Sequence, residues 1–258
     1  MAKVHPTAVV HPGARLAADV EVGAYSVIGE HVEIGEGSRI GAHVVVDGHT
    51  RIGRRNQIWH FSSIGAPPQD KKYAGEPTRV EIGDGNTIRE YVTINRGTSQ
   101  DVGVTRLGND NWIMAYVHLA HDCQVGSQTI LANVTQLAGH VIIGDWAILG
   151  GNTLVHQHVH VGAHAFTGMG AALAQDVPPY VMAAGAPAQP VSINKEGLRR
   201  RGFSPQTIDG LKRAYKTLYR KGLTLDEARA ALESQAASCP EVREILKFLA
   251  SSERGIIR

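Results

Sequence analysis

A coil of short parallel β-strands followed by a C-terminal α-helical domain is the fold this 258-residue sequence predicts. Three observations carry it. Aliphatic residues recur at every sixth position over most of the first 190 residues, glycine commonly follows them, and a helical pattern replaces the repeat near the end of the chain. Aromatics make up only 5% of the sequence against 29 glycines, an unusual balance for a packed helical protein.

In order along the chain, Val4, Val10, Leu16, Val22, Ile28, Ile34, Ile40, Val46, Ile52, Ile58 and Ile64 keep the six-residue step without a miss. The segment Ala66 to Thr78 (APPQDKKYAGEPT) then has Asp70 and Glu76 where aliphatics are due, and reads as a loop near 66–79. The step resumes at Ile82, Ile88 and Ile94, pauses in a second loop near 96–105, and returns at Leu107. From there it runs through Ile113, Leu119, Val125, Leu131, Leu137, Ile143, Leu149, Val155, Val161 and Leu173, with Thr167 as the one exception.

A period of six does not fit a helix of 3.6 residues per turn, whereas a short strand plus a tight turn fits it. Three such sides close a triangular coil of about 18 residues, and stacked coils pair as parallel strands ~4.8 Å apart. The inward aliphatic fills the core. The small residue after it lets the chain turn where a β-carbon would crowd or φ must be positive. Hexapeptide repeats of this kind resemble the left-handed parallel β-helix family, and the hand is taken from that resemblance, because crossover chirality alone favours the other hand.

The prolines of Asp176 to Tyr180 (DVPPY) are expected to end the ladder, with Gly185 to Pro190 as a linker. The β-helix is therefore assigned to residues 1–190 and the helical domain to 191–258. Ser204 followed by Pro205 starts a helix, and Thr224 with Glu227 and Ser238 with Glu241 read as capping boxes of further helices. Three or four helices would cap the end of the coil.

Composition excludes several classes. With 26 basic and 24 acidic residues, the formal charge of +2 does not suggest a nucleic-acid binder. No apolar run reaches the length of a signal-peptide core or a membrane span. Cys123 and Cys239 are too few for a disulfide framework, so a reducing cytoplasmic location is expected.

The chemistry concentrates between Tyr116 and His140 (YVHLAHDCQVGSQTILANVTQLAGH). His121 followed by Asp122 is a candidate general base with a carboxylate to orient its ring, and His118 lies close by. An 18-residue coil stacks Gly139 beside His121, His140 beside Asp122, and Gln157 one coil further on. Gly139 would let a substrate approach and could offer its N–H to an oxyanion, or be a turn glycine only. His156, His158 and His160 should share one side of a strand. A single prism has flat outer faces, so a site of this size is expected between copies, and a threefold prism suits a cyclic homotrimer.

The segments HVEIGEG, DKKYAGEPTRVEIGDGNTIREYVTINRGT, AHDCQVG, LAGH, AQDVPPYV and EGLRRRGFS together resemble the UDP-N-acetylglucosamine O-acyltransferase family of lipid A biosynthesis, over essentially the whole chain. The resemblance implies transfer of a 3-hydroxyacyl group from acyl carrier protein to the glucosamine 3-hydroxyl of UDP-N-acetylglucosamine, with no metal and no cofactor. Carried over residue by residue, His121 is the base and Asp122 its orienter. Gln69, Asp70 and Lys72 match sugar and acyl contacts, and His118, His140, His156 and Gln157 match the cleft. Asn194, Glu196, Arg200 and Arg201 match positions near the nucleotide, where arginine suits a diphosphate.

One residue departs from the pattern. Met169 stands where members using longer chains have glycine, and it is the first large side chain in the column Ala115, Asn133, Gly151, Met169. A shorter hydroxyacyl group of about ten carbons follows, since each excluded methylene forfeits ~0.8 kcal/mol of burial. Nine basic and two acidic residues between Lys195 and Lys221 would attract an acidic carrier protein. The competing readings are another nucleotide-sugar acceptor or an acyl-CoA donor, a histidine-bound zinc hydratase, and a purely structural β-helix.

Overall fold

Lys3 pairs with Glu21, Val9 with Val27 and Arg15 with Glu33, all in parallel, so each turn of the coil returns after 18 residues. The computed structural model describes residues 2–258. Three sheets of eleven, nine and eight strands form the faces of a left-handed parallel β-helix. Most strands contain two residues, of which the second points inward. Ile28, Ile64, Ile94, Leu119, Leu137 and Leu149 are thereby fully buried. Thr167, the exception in the repeat, is buried too, and its hydroxyl is paired with that of Thr153 at 2.8 Å.

The glycines and the positive backbone angles have separate jobs. A β-carbon at Gly23 would meet the carbonyl carbon of Gly41 at 2.7 Å, so glycine is required there by the closeness of the next coil. Left-handed backbone at the edges falls mostly on other residues, among them Tyr25 (φ 58°), Phe61 (φ 60°), Asp122 (φ 60°) and His140 (φ 61°). Such residues project from the prism edges, which is where reactive side chains can be displayed.

Both loops leave from one edge, between the nine-stranded and eight-stranded sheets. They are slightly shorter than the sequence suggests, because Ser63–Ala66, Arg79–Ile82 and Val104–Leu107 are strands. The coil carrying the first loop is 30 residues long and that carrying the second 25, and in both cases the ladder resumes its inward aliphatic register.

The ladder does not end at the prolines. Val181–Ala184 pairs in parallel with Phe166–Thr167, and Gly185 to Ala188, the first four residues of GAPAQP, are the turn of a hairpin that brings Gln189–Ile193 back antiparallel. Proline is tolerated because Pro178 and Pro179 precede the strand and Pro190 lies on its final, outermost partner. Four helices follow: α1 (Lys195–Arg200), α2 (Pro205–Tyr219), α3 (Leu225–Ala236) and α4 (Val242–Ser251). Ser204 caps α2 through Thr207 N–H, and Thr224 with Glu227 forms a complete capping box on α3. The box expected at Ser238 and Glu241 is absent: α4 starts after Glu241 without a side-chain cap, and the Ser238 hydroxyl donates back to the Gln235 carbonyl. The chain end returns to the coil, where Ile257 N–H and the Asp176 carbonyl meet at 2.9 Å.

Candidate active site

His121 and Asp122 occupy the prism edge from which the two loops emerge, one coil below the second loop. The Asp122 amide donates to Thr105 Oγ1 at 2.9 Å, which fixes its left-handed backbone. Its side chain is fully buried, and the carboxylate accepts from Thr98 N–H (2.9 Å), the Thr98 hydroxyl (2.7 Å), Gly103 N–H (3.1 Å) and His121 Nδ1 (3.0 Å). Burial pushes this carboxyl up, but the hydrogen bonds from His121 and Thr98 outweigh it and hold the group below the usual aspartate range. Asp122 is thus a fixed anion whose one mobile partner is an imidazole.

With Nδ1 engaged, His121 has Nε2 left for a substrate. Gly139 lies directly beside the ring. His140 meets it edge-on, at 4.9 Å between centroids and 87° between planes, and stacks on His158 at 4.4 Å. His140 Nδ1 pairs with the Asp101 carboxylate at 2.5 Å.

Seven of the expected residues line one cleft of about 430 Å³: Gln69, Asp70, Lys72, His118, His121, Gly139 and Gln157. His118 Nδ1 is paired with Thr93 Oγ1 at 2.7 Å, and burial, then the charge of His121, lowers its pKa. Asn95 lines the same cleft, and its buried Oδ1 has no hydrogen-bond partner among the described residues. A second cavity of about 590 Å³ shares His118 and Ala138 with the first and is walled by Leu137, Leu154, Val155 and Leu173. His156 faces this apolar groove.

The three histidines of HQHVH do not share a side as a continuous strand would require. The chain turns an edge between them, so His156 faces the groove, His158 projects from the edge with φ 63°, and His160 packs on Phe248 of α4 at 4.4 Å. Asn194, Glu196, Arg200 and Arg201 lie apart from His121. Asn194 caps α1 and donates to the His164 carbonyl, while Arg201 stands over Trp146 at 5.3 Å and within 3.2 Å of His164 Nδ1. Trp146 and His164 belong to a different edge, between the eight- and eleven-stranded sheets. Glu196 pairs with Arg199 and Arg200. Met169 is 85% exposed, at the third edge.

His121, Asp122 and His140 place possible metal-ligand atoms within 4.8 Å of one another. The fit is poor. Both Asp122 oxygens already accept from protein donors, and the Nδ1 atoms of both histidines are paired with carboxylates.

The residues that hold this site were not evident from the repeat. Thr98, Asp101 and Gly103 sit in an aperiodic loop, and the one available signal was that this loop interrupts the coil immediately before His121.

Comparison with known proteins settles the family. The chain is 64% identical over 258 residues to the acyl-(acyl-carrier-protein)–UDP-N-acetylglucosamine O-acyltransferase of Thiobacillus denitrificans, with all of both chains covered. It belongs to the UDP-N-acetylglucosamine O-acyltransferase family. Residues 176–257 match the model of the second domain of UDP-N-acetylglucosamine O-acyltransferase, and residues 13–48 match the bacterial transferase hexapeptide model. Among solved structures, LpxA of Acinetobacter baumannii superposes with a TM-score of 0.97 at 46% identity, with 99% of each chain covered. The UDP-N-acetylglucosamine O-acyltransferase of Moraxella catarrhalis superposes equally well at 43% identity, again over 99% of each chain. An O-acyltransferase needs a base for a hydroxyl and room for an acyl chain, and the paired clefts offer both. Among the described residues no helix is long and apolar enough to cross a membrane.

Proposed function

We propose that the protein transfers an (R)-3-hydroxyacyl group from acyl carrier protein to the glucosamine 3-hydroxyl of UDP-N-acetylglucosamine, the first step of lipid A biosynthesis. The observation that carries the mechanism is the His121–Asp122 pair at the junction of a polar cleft and an apolar groove. His121 Nε2 takes the proton from the sugar hydroxyl as its oxygen attacks the thioester carbonyl. The C–O bond forms, and the negative charge on the carbonyl oxygen is met by Gly139 N–H, which donates to no carbonyl among the described residues. The C–S bond then breaks, and the carrier thiolate recovers the proton from His121. Asp122 keeps the ring oriented and favours its charged form between the two transfers.

Gln69, Asp70, Lys72, His118 and Gln157 contact the sugar and the reacting carbonyl, and Asn95 offers its unpaired Oδ1 to a substrate N–H or O–H. The hydroxyacyl chain follows the groove past His156. No metal or other cofactor takes part in this scheme. Both substrates belong to the cell interior, which places the enzyme in the cytoplasm, and the basic face of α2 at Lys212, Arg213 and Lys216 guides the acidic carrier.

The site is completed by other copies in a homotrimer. Asn194, Glu196, Arg200 and Arg201 stand on a different edge from His121, so in this reading they serve the nucleotide of a neighbouring cleft. The nine-stranded sheet exposes Val9, Val27, Val45 and Leu154, and its leading edge carries the stack Tyr25, His43, Phe61, Tyr91 and Tyr116. An apolar strip of this kind is suited to cover by a second copy. Met169, at the same edge, limits the neighbour's groove to about ten carbons by removing methylene sites worth ~0.8 kcal/mol each.

The test is transfer from 3-hydroxydecanoyl-carrier protein to UDP-N-acetylglucosamine, with His121→Ala and EDTA in parallel. Turnover unaffected by EDTA and lowered at least about a hundredfold in the variant is expected. No turnover with this or longer donors overturns the substrate assignment, and loss with EDTA overturns the metal-free scheme.

A further inference from the structure

We propose that Asp101 is a positioning residue for the His121 base, acting through the ring of His140. The inference rests on the general-base reading of His121. One hydrogen bond from Nδ1 to Asp122 sets the direction of the imidazole but leaves its plane free to tilt about that bond. The His140 ring, edge-on at 4.9 Å, closes this freedom on one side. His140 itself is held twice, by Asp101 Oδ2 on Nδ1 at 2.5 Å and by the His158 ring stacked on its face at 4.4 Å. Its backbone is tied to the same neighbour, since His140 N–H donates to the His121 carbonyl at 3.0 Å.

The loop that contributes Asp101 also contributes Thr98 and Gly103 to Asp122. A single loop therefore fixes His121 by two routes, through the carboxylate on its Nδ1 and through the imidazole against its edge. Two residues, Ser99 and Gln100, separate Thr98 from Asp101, which spans the distance between the two routes along one edge. The charged and titratable groups facing His140 are Asp101, His121, Asp122 and His158. Of these, Asp101 is the one that reaches His140 from outside the repeat.

The experiment uses the full chain and the variants Asp101→Ala and Asp101→Asn, with steady-state kinetics for both substrates and ¹⁵N-resolved NMR of the His140 ring. Asn keeps an acceptor oxygen at the same reach. Asp101→Ala should lower kcat by about tenfold with both KM values within about twofold, as a small misalignment of a base does. The Nδ1–H signal of His140 should lose its downfield position in that variant, and Asp101→Asn should recover most of the kcat. A kcat for Asp101→Ala within about twofold of the parent, a change confined to KM, an unaltered His140 signal, or Asp101→Asn behaving like Asp101→Ala would each overturn the proposal. His121→Ala run alongside keeps the two readings distinct: retained turnover there removes the base assignment, while the Asp101–His140 bond is still read from the spectrum.

Discussion

A β-carbon on Gly139 would lie 2.5 Å from Cε1 and 2.6 Å from Nε2 of His121, so the presence of glycine here and the position of the imidazole are one fact. Gly139→Ala must push the ring out of line. We expect kcat to fall about a hundredfold while the far-ultraviolet circular dichroism stays that of the parent. A variant with more than half of the parental kcat would show that the ring has room to move.

Asp122→Asn replaces an acceptor-only group by one whose NH₂ faces donors. Loss of activity should come with destabilisation of about 2 kcal/mol at pH 7, because hydrogen bonds to a buried charge are lost. The carboxyl is held below its ordinary range, so its contribution is present above the unfolded-state pKa near 3.9 and disappears as pH falls through the folded value. Urea titrations at pH 7 and at pH 3 should show the gap between parent and variant shrinking at the lower pH.

His164 also loses stability as pH falls, but from a ring that the fold keeps neutral rather than from an anion. Burial, then the Arg201 charge, lowers its pKa to about 4, so the folded protein keeps this ring neutral while the unfolded chain protonates it near 6.5. Stability from this group is full above the unfolded value and is lost as pH falls from about 6.5 towards 4. Melting temperatures across that interval should drop less steeply in His164→Gln than in the parent.

Met169→Gly should shift the preferred donor from about ten carbons towards longer 3-hydroxyacyl chains, since each methylene admitted gains ~0.8 kcal/mol of burial. Competition between donors of graded length measures the shift directly, and an unchanged profile removes Met169 from the groove.

Leu119, fully buried on the strand next to His121, tests the core. Leu119→Ala should cost about 2–5 kcal/mol in chemical denaturation.

The repeat was legible because its inward position demands an aliphatic at every coil, and a departure such as Thr167 is rare enough to stand out. The pair His121–Asp122 was legible for a related reason: the 18-residue turn places Gly139 against it without any knowledge of loops. The prolines of DVPPY misled, because a proline ahead of an outer strand removes no interior hydrogen bond. Ser238 misled as a cap because its hydroxyl had a nearer acceptor in the end of α3. Asp101 was invisible for want of any period to position it, and Asn95, which follows the periodic Ile94, had no sequence feature to set it apart. The partner of Asp101 comes from a coil further along the chain, and only closure of the prism brings His140 within its reach.

The two long coils, of 30 and 25 residues, re-enter the same ladder that the 18-residue coils build. Extra chain at that edge is therefore nearly silent to the interior, which continues above and below it as though nothing had been inserted. Heritable change in these two segments can remodel what the cleft accepts while the folding instructions, written in every sixth residue, are copied unaltered.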